Sequence, residues 1–232
     1  MPEILDGHAL ISAIAYFGGS FDPVHEGHLQ TALELLDRFP FERLTLLPAA
    51  RSPLKDDGAA FAHRLAMLQL AVSCHARLQV DDRESRRPPP SYTIDTLTEL
   101  RQELGTDQPL VFILGLDSLL TLNQWHRWRE LTDFAHLLVV TRPGCSPDFV
   151  GEIAEWLAAH RVNDPRMLEC APNGRILLAE TTPHAVSSTA IRAALHQGAA
   201  PETQPLPASV AGYIRHNQLY GVSPPHESRT DF

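Results

Sequence analysis

Ile14-Ala15-Tyr16-Phe17-Gly18-Gly19-Ser20-Phe21-Asp22-Pro23-Val24-His25-Glu26-Gly27-His28 begins as an apolar run, passes through a glycine pair and ends on two histidines. The run reads as a short strand, the glycines as a turn, and the remainder as a helix opening at about Val24. Gly18 and Gly19 allow positive φ and let a ligand approach with no Cβ in the way. A helix start behind such a turn offers unpaired N–H groups and a positive dipole end, which favour phosphate. His25 and His28 are three apart, so on a helix they share a face. Together these features describe a nucleotide triphosphate site lined by Gly18, Gly19, Ser20, Phe21, His25 and His28. Two histidines so spaced could instead ligate a metal, but no third ligand accompanies them, and no metal site is assigned.

The chain has 232 residues, enough for one α/β domain, and 44% of them are apolar, enough for a full core. No apolar run approaches the roughly 20 residues of a membrane span, and the start, Met1-Pro2-Glu3, lacks the features of a secretion signal. The expected setting is cytoplasmic. Cys74, Cys145 and Cys170 are scattered with no CxxC, so they read as reduced thiols. A formal charge of −9 argues against broad nucleic-acid binding, which needs a basic face. Any anionic ligand must therefore be held by a few local cations and by backbone N–H groups. Small-molecule substrates are expected, with monomer and homo-oligomer both open.

Residues 1–12 show no clear period and read as a loose extension. From residue 13 apolar runs alternate with amphipathic stretches. Strands are expected at about 13–17, 43–48, 78–80, 110–114, 136–141 and 176–179. Helices are expected at about 24–39, 62–73, 92–104 (capped by Ser91), 149–160, from 187 onward, and 207–219. Arg83 to Pro90 reads as an extended, solvated surface loop, Trp125 to Trp128 as a short helical piece, and 223–232 as a disordered tail. Alternation of this kind means parallel strands joined by crossover helices. The expectation is an α/β, doubly wound (Rossmann-like) open sheet of about six parallel strands, spanning residues 13–221. In such a sheet ligands bind beyond the strands' C-terminal ends, near the switch in strand order. The glycine turn, Asp117, Arg142 and the segment 187–192 all follow strands.

Gly18-Gly19-Ser20-Phe21-Asp22-Pro23-Val24-His25-Glu26-Gly27-His28 resembles the GG[ST]FDPxHxGH signature of the HxGH nucleotidyltransferase superfamily. Four further segments resemble the bacterial nicotinate-nucleotide adenylyltransferase family: SYTIDTL from Ser91, Gly115-Leu116-Asp117-Ser118 followed by Trp125, Arg142-Pro143-Gly144, and Ser187-Ser188-Thr189-Ala190-Ile191-Arg192. The ending, Val210 to Tyr220, fits as well. The resemblance implies an enzyme of NAD biosynthesis that moves the adenylyl group of ATP to nicotinate mononucleotide. It implies that backbone N–H groups at Tyr92 and Thr93 grip the pyridine carboxylate, that Trp125 stacks on the ring, and that Asp117 contacts the nucleotides. It implies that Ser188, Thr189 and Arg192 hold ATP phosphates beside the glycine turn. Gly115, Arg142 and Lys55 complete the mononucleotide side, and Mg²⁺ comes bound through ATP phosphates. One position departs from the family: its PPHK or PPHR loop reads Ser52-Pro53-Leu54-Lys55 here, with leucine at the histidine position.

The implied reaction suits these residue types. A phosphate monoester has its second pKa near ~6, so the attacking group is already a dianion at neutral pH. No general base and no protein nucleophile are required; aligning two anions and neutralising charge suffice. His28 takes the main transition-state role and His25 a phosphate-positioning role. The rival readings are an enzyme of dual specificity or one using nicotinamide mononucleotide, a sister transferase, and a non-catalytic nucleotide sensor. The last would fit the loss of a histidine or of Arg192, and neither is lost.

Overall fold

The computed structural model describes residues 12–50, 58–144 and 148–223, together with the backbone of residues 4–5 and 8–9. Two short strands, β1 (Ile4–Leu5) and β2 (His8–Ala9), pair antiparallel within the segment read as a loose extension. The main chain then runs β3 (Ile14–Gly19), α1 (Glu26–Arg38), β4 (Leu44–Pro48), α2 (Phe61–Val72), β5 (Leu78–Val80), α3 (Thr93–Leu104), β6 (Leu110–Gly115) and α4 (Leu116–Leu120). It continues through α5 (Leu131–Phe134), β7 (His136–Thr141), α6 (Gly151–His160), β8 (Arg161–Val162), β9 (Ile176–Glu180), α7 (Ser188–His196) and α8 (Ala208–His216). No helix among the described residues is long and apolar enough to cross a membrane.

Seven strands form one parallel sheet in the order β5-β4-β3-β6-β7-β9-β8. The six expected strands are all present. The seventh, β8, is a two-residue edge strand whose Arg161-Val162 carries no apolar run to announce it.

The central strands read as continuous apolar runs because both faces are covered. Successive side chains on β6 go to opposite sides. Val111 and Ile113 join the core beneath α1, α2, α7 and α8, while Leu110, Phe112 and Leu114 join the core beneath α3, α5 and α6. Helix α1 contributes Leu29, Ala32, Leu35 and Leu36, a stripe at helical spacing, to the first core. Fully burying such a side chain stabilises the fold by about 1.5–3 kcal/mol.

Candidate active site

From β3 the chain moves outward through β4 and β5, then returns to β6 on the other side of β3. Strand order therefore reverses between β3 and β6, and the C-terminal ends at that switch are Gly19 and Gly115. A ligand crevice belongs here on topology alone. Gly18 and Gly19, expected as a turn, are instead the last two residues of β3, paired with Leu47 and Pro48, and they serve close packing rather than unusual dihedrals. A Cβ at Gly18 would overlap the Phe112 ring, and one at Gly19 would lie 3.0 Å from the Phe21 ring. The positive φ expected at the glycines falls instead on Phe21, at 47°. Its buried ring is held edge-on by Phe17 at 5.8 Å and by His28 at 5.0 Å.

Helix α1 starts at Glu26, two residues later than the sequence suggested, because His25 is extended (φ −142°) and serves as its N-cap. The two imidazoles still meet, stacked with centroids 3.7 Å apart. The His25 backbone N–H donates to His28 Nδ1 at 3.2 Å. An accepting Nδ1 is unprotonated, so neutral His28 carries its proton on Nε2. Burial holds both rings below the usual imidazole range: His28 well below it, helped by His25, and His25 at about 4, helped by His184. His184 escaped the sequence reading. A Cβ at Gly27 would lie 3.2 Å from both His184 Cβ and His25 Cε1, so glycine lets that loop close over the histidines.

Asp22 joins four segments around the turn. Its carboxylate Oδ1 accepts from the Tyr220 hydroxyl at 2.6 Å and from the Ala59 N–H at 3.1 Å. Its carbonyl oxygen accepts from Arg192 Nη1 at 2.6 Å, and the next carbonyl, of Pro23, accepts from Ser188 Oγ at 3.0 Å. Buried Arg64 donates to the carbonyls of Ser20, Ala49, Ala50 and Ala59, fixing the ends of β3 and β4 together. The segment 187–192 thus lies against Asp22 and Pro23, just past the end of β3. The cap of α7 is Ser187, whose hydroxyl accepts the Ala190 N–H, so Ser188 is left to bridge and Thr189 lies exposed in the first turn.

Across the switch, Tyr92 is the N-cap of α3, and neither it nor Ser91 supplies a side-chain cap. Ser91 instead accepts from Arg87 Nη2 at 2.8 Å. The first-turn N–H groups next to Thr93 therefore have no side-chain acceptor, which leaves them for an anion. The Tyr92 ring tilts over His126 with centroids 4.5 Å apart, bringing the start of α3 against the segment that holds Trp125. The stretch from Trp125 to Trp128, expected as a short helical piece, is instead a bend between two 3-10 turns, Leu122–Gln124 and Trp128–Glu130, because Arg127 is left-handed. Trp125 there is half-buried, whereas Trp128 is core, edge-on to Trp156 at 5.1 Å. Asp117 is exposed in the first turn of α4, with its carboxylate beside Gly115. Arg142 follows β7, two residues past Val140, which pairs with Gly115, and it too is exposed. Lys55 and Leu54 lie outside the described residues.

The Cytidylyltransferase-like family pattern matches residues 16–194. A chain from Marinomonas sp. (strain MWYL1), named "Probable nicotinate-nucleotide adenylyltransferase", is 43% identical over 94% of this chain and 99% of its own length. One of the same name from Aeromonas hydrophila is 47% identical over 89% of this chain and 96% of its own. Among solved structures, Plasmodium falciparum nicotinic acid mononucleotide adenylyltransferase complexed with NaAD superposes with a TM-score of 0.71 at 17% identity. That superposition covers 92% of this chain and 99% of the other, and it establishes the shared fold.

Proposed function

The chain belongs to the nicotinate-nucleotide adenylyltransferase family, and from that membership we propose that it transfers the adenylyl group of ATP to nicotinate mononucleotide, giving deamido-NAD and pyrophosphate. The observation that carries this reading is the meeting, at one topological switch, of two unlike walls. One is the stacked His25–His28 pair with Arg192 drawn onto Asp22. The other is the uncapped start of α3 with Tyr92, His126 and Trp125 clustered beside it. The first suits a triphosphate and the second a flat, negatively charged ring.

On this reading the mononucleotide phosphate attacks the ATP α-phosphorus directly and pyrophosphate leaves. His28 donates from Nε2 to the oxygens that gain charge in the transition state, and His25 positions phosphate beside it. Both start neutral, so they act as hydrogen-bond donors, and formal charge comes from Arg192 and Lys55. Gly18, Gly19, Ser20, Phe21, Ser188 and Thr189 shape the ATP side. Tyr92, Thr93, Trp125, Asp117, Gly115 and Arg142 form the mononucleotide side. The donors on the phosphate wall are imidazole, hydroxyl and N–H groups, not the oxygen cage that Mg²⁺ prefers, so the ion fits as part of MgATP on phosphate oxygens.

The test is pyrophosphate release from ATP and Mg²⁺ with nicotinate or nicotinamide mononucleotide at equal concentration. Strong preference for the acid is expected. Equal use of both would move the assignment to a dual-specificity enzyme, and release with neither would overturn it.

A further inference from the structure

The stretch Arg83–Arg86, expected as part of an extended, solvated loop, is a 3-10 turn that leaves Ser85 and Arg86 exposed but buries Glu84. With half-buried Arg87, Glu84 forms a polar junction between two strand ends and the start of α3. Glu84 is 6% exposed. Its Oε2 accepts the Ala50 N–H at 3.0 Å, just past the end of β4, and its Oε1 accepts the Thr96 hydroxyl at 2.9 Å. Arg87 spreads its guanidinium over the same point. Nη2 donates to Ser91 Oγ at 2.8 Å and to Thr96 Oγ1, while Nη1 donates to Glu99 Oε1 at 3.1 Å. Nη2 also lies 3.9 Å from Glu84 Oε1. Thr96 is fully buried, so its hydroxyl is a relay: it accepts from Arg87 and donates to Glu84.

This arrangement grips the α3 entry on both sides. Ser91 immediately precedes the N-cap Tyr92, and Thr96 lies on the turn just after it. Only a planar fork can hold Ser91, Thr96 and Glu99 together, which a lysine ammonium cannot reproduce. We propose that Arg87, seated on Glu84, is a positioning residue that fixes the direction of the Tyr92–Thr93 backbone N–H pair and so sets affinity for the mononucleotide. The proposal rests on the reading above, in which that N–H pair receives the pyridine carboxylate. Arg87 itself does not touch substrate in this scheme. The ATP wall, built on Asp22, Arg64 and Arg192, has no hydrogen bond to Arg87 among the described residues. The junction touches it through Ala50, whose N–H goes to Glu84 and whose carbonyl accepts from Arg64, and a change at Arg87 alone leaves that link in place.

The experiment compares Arg87→Lys, Ser91→Ala and the double variant with the wild type. Michaelis constants are measured separately for ATP and for each mononucleotide, with thermal denaturation alongside. Arg87→Lys keeps a charge against Glu84 and so avoids stranding a buried carboxylate. Its KM for nicotinate mononucleotide is expected to rise about tenfold, the scale of one charge-assisted hydrogen bond. Its KM for ATP is expected to stay within about twofold, because Arg87 bonds Ser91, Thr96 and Glu99 and no residue of the ATP wall. Ser91→Ala should move the same constant the same way by less, with little further effect in the Arg87→Lys background, because both break one bond. Equal rises in both Michaelis constants, or a lowered melting temperature with neither constant changed, would overturn the positioning role. If the wild type fails to prefer the acid, the carboxylate reading falls. Arg87 is then still judged by the split between the mononucleotide and ATP constants.

Discussion

At neutral pH the imidazole of His28 enters the proposed reaction uncharged, with its proton fixed on Nε2 by the His25 N–H that occupies Nδ1. A preset donor costs no reorientation when charge develops, which is where such groups contribute most. His28→Ala should therefore lower kcat by about a hundredfold or more, the scale of losing one transition-state donor, with a modest change in ATP affinity. Single-turnover rates and ATP titration would separate the two, and near-wild-type turnover would remove His28 from the chemistry. Both histidines were legible in the sequence because their spacing and the glycine pair form one local pattern. His184 was not, since a lone histidine in Thr181-Thr182-Pro183-His184 has no local partner and meets His25 only after folding.

Among elements, the start of α3 and the 3-10 turn before Trp125 form the proposed mononucleotide side. The chain leaves the N-terminus of α3 without a side-chain cap and packs the Tyr92 ring at that end against His126. Trp125 sits half-exposed on the same turn, whereas Trp128, three residues on, is locked against Trp156. Trp125→Ala should thus raise KM for the mononucleotide by about tenfold, as the loss of one aromatic stacking contact can. The ATP constant should change little, and equal rises in both would make Trp125 a core residue. Element type was readable from period for the long elements: β5 and β7 fall on their expected ranges, and the six longer helices form, whereas the short helical piece expected at Trp125 to Trp128 is a turn between two 3-10 helices. Ends were less readable, because caps depend on partners. Ser91 was expected to cap α3 but its hydroxyl is taken by Arg87, and Arg87 looked solvated because its partners Glu84, Ser91, Thr96 and Glu99 are spread along a charged, proline-flanked stretch.

For the molecule as a whole, the doubly wound sheet places the switch between β3 and β6, and the C-terminal segment returns to lock it. Tyr220 reaches across 198 positions to Asp22, and no sequence period could have foretold that bond. The segment is shaped for it: Gln218 and Tyr220 both adopt left-handed backbone, at φ 52° and 56°, which turns the Tyr220 ring inward. Burial pushes the hydroxyl's pKa up, reinforced by the Asp22 carboxylate, so it stays a donor. Asp22 in turn carries Arg192 on its carbonyl and the Ala59 N–H on its carboxylate, so the end of the chain supports the phosphate wall through one residue. Tyr220→Phe removes only the hydroxyl and leaves a buried carboxylate with one partner fewer. The expected loss is about 1–3 kcal/mol, which for a chain of this size lowers the melting temperature by about 2–12 °C. Well below that temperature the variant should show a raised KM for ATP, because Arg192 is anchored on the same residue. Thermal denaturation and ATP kinetics at low temperature check the two parts separately. An unchanged melting temperature would mean the hydroxyl bond contributes nothing to the fold. A lowered one with an unchanged ATP constant would mean that Asp22 holds Arg192 without help from the chain's end.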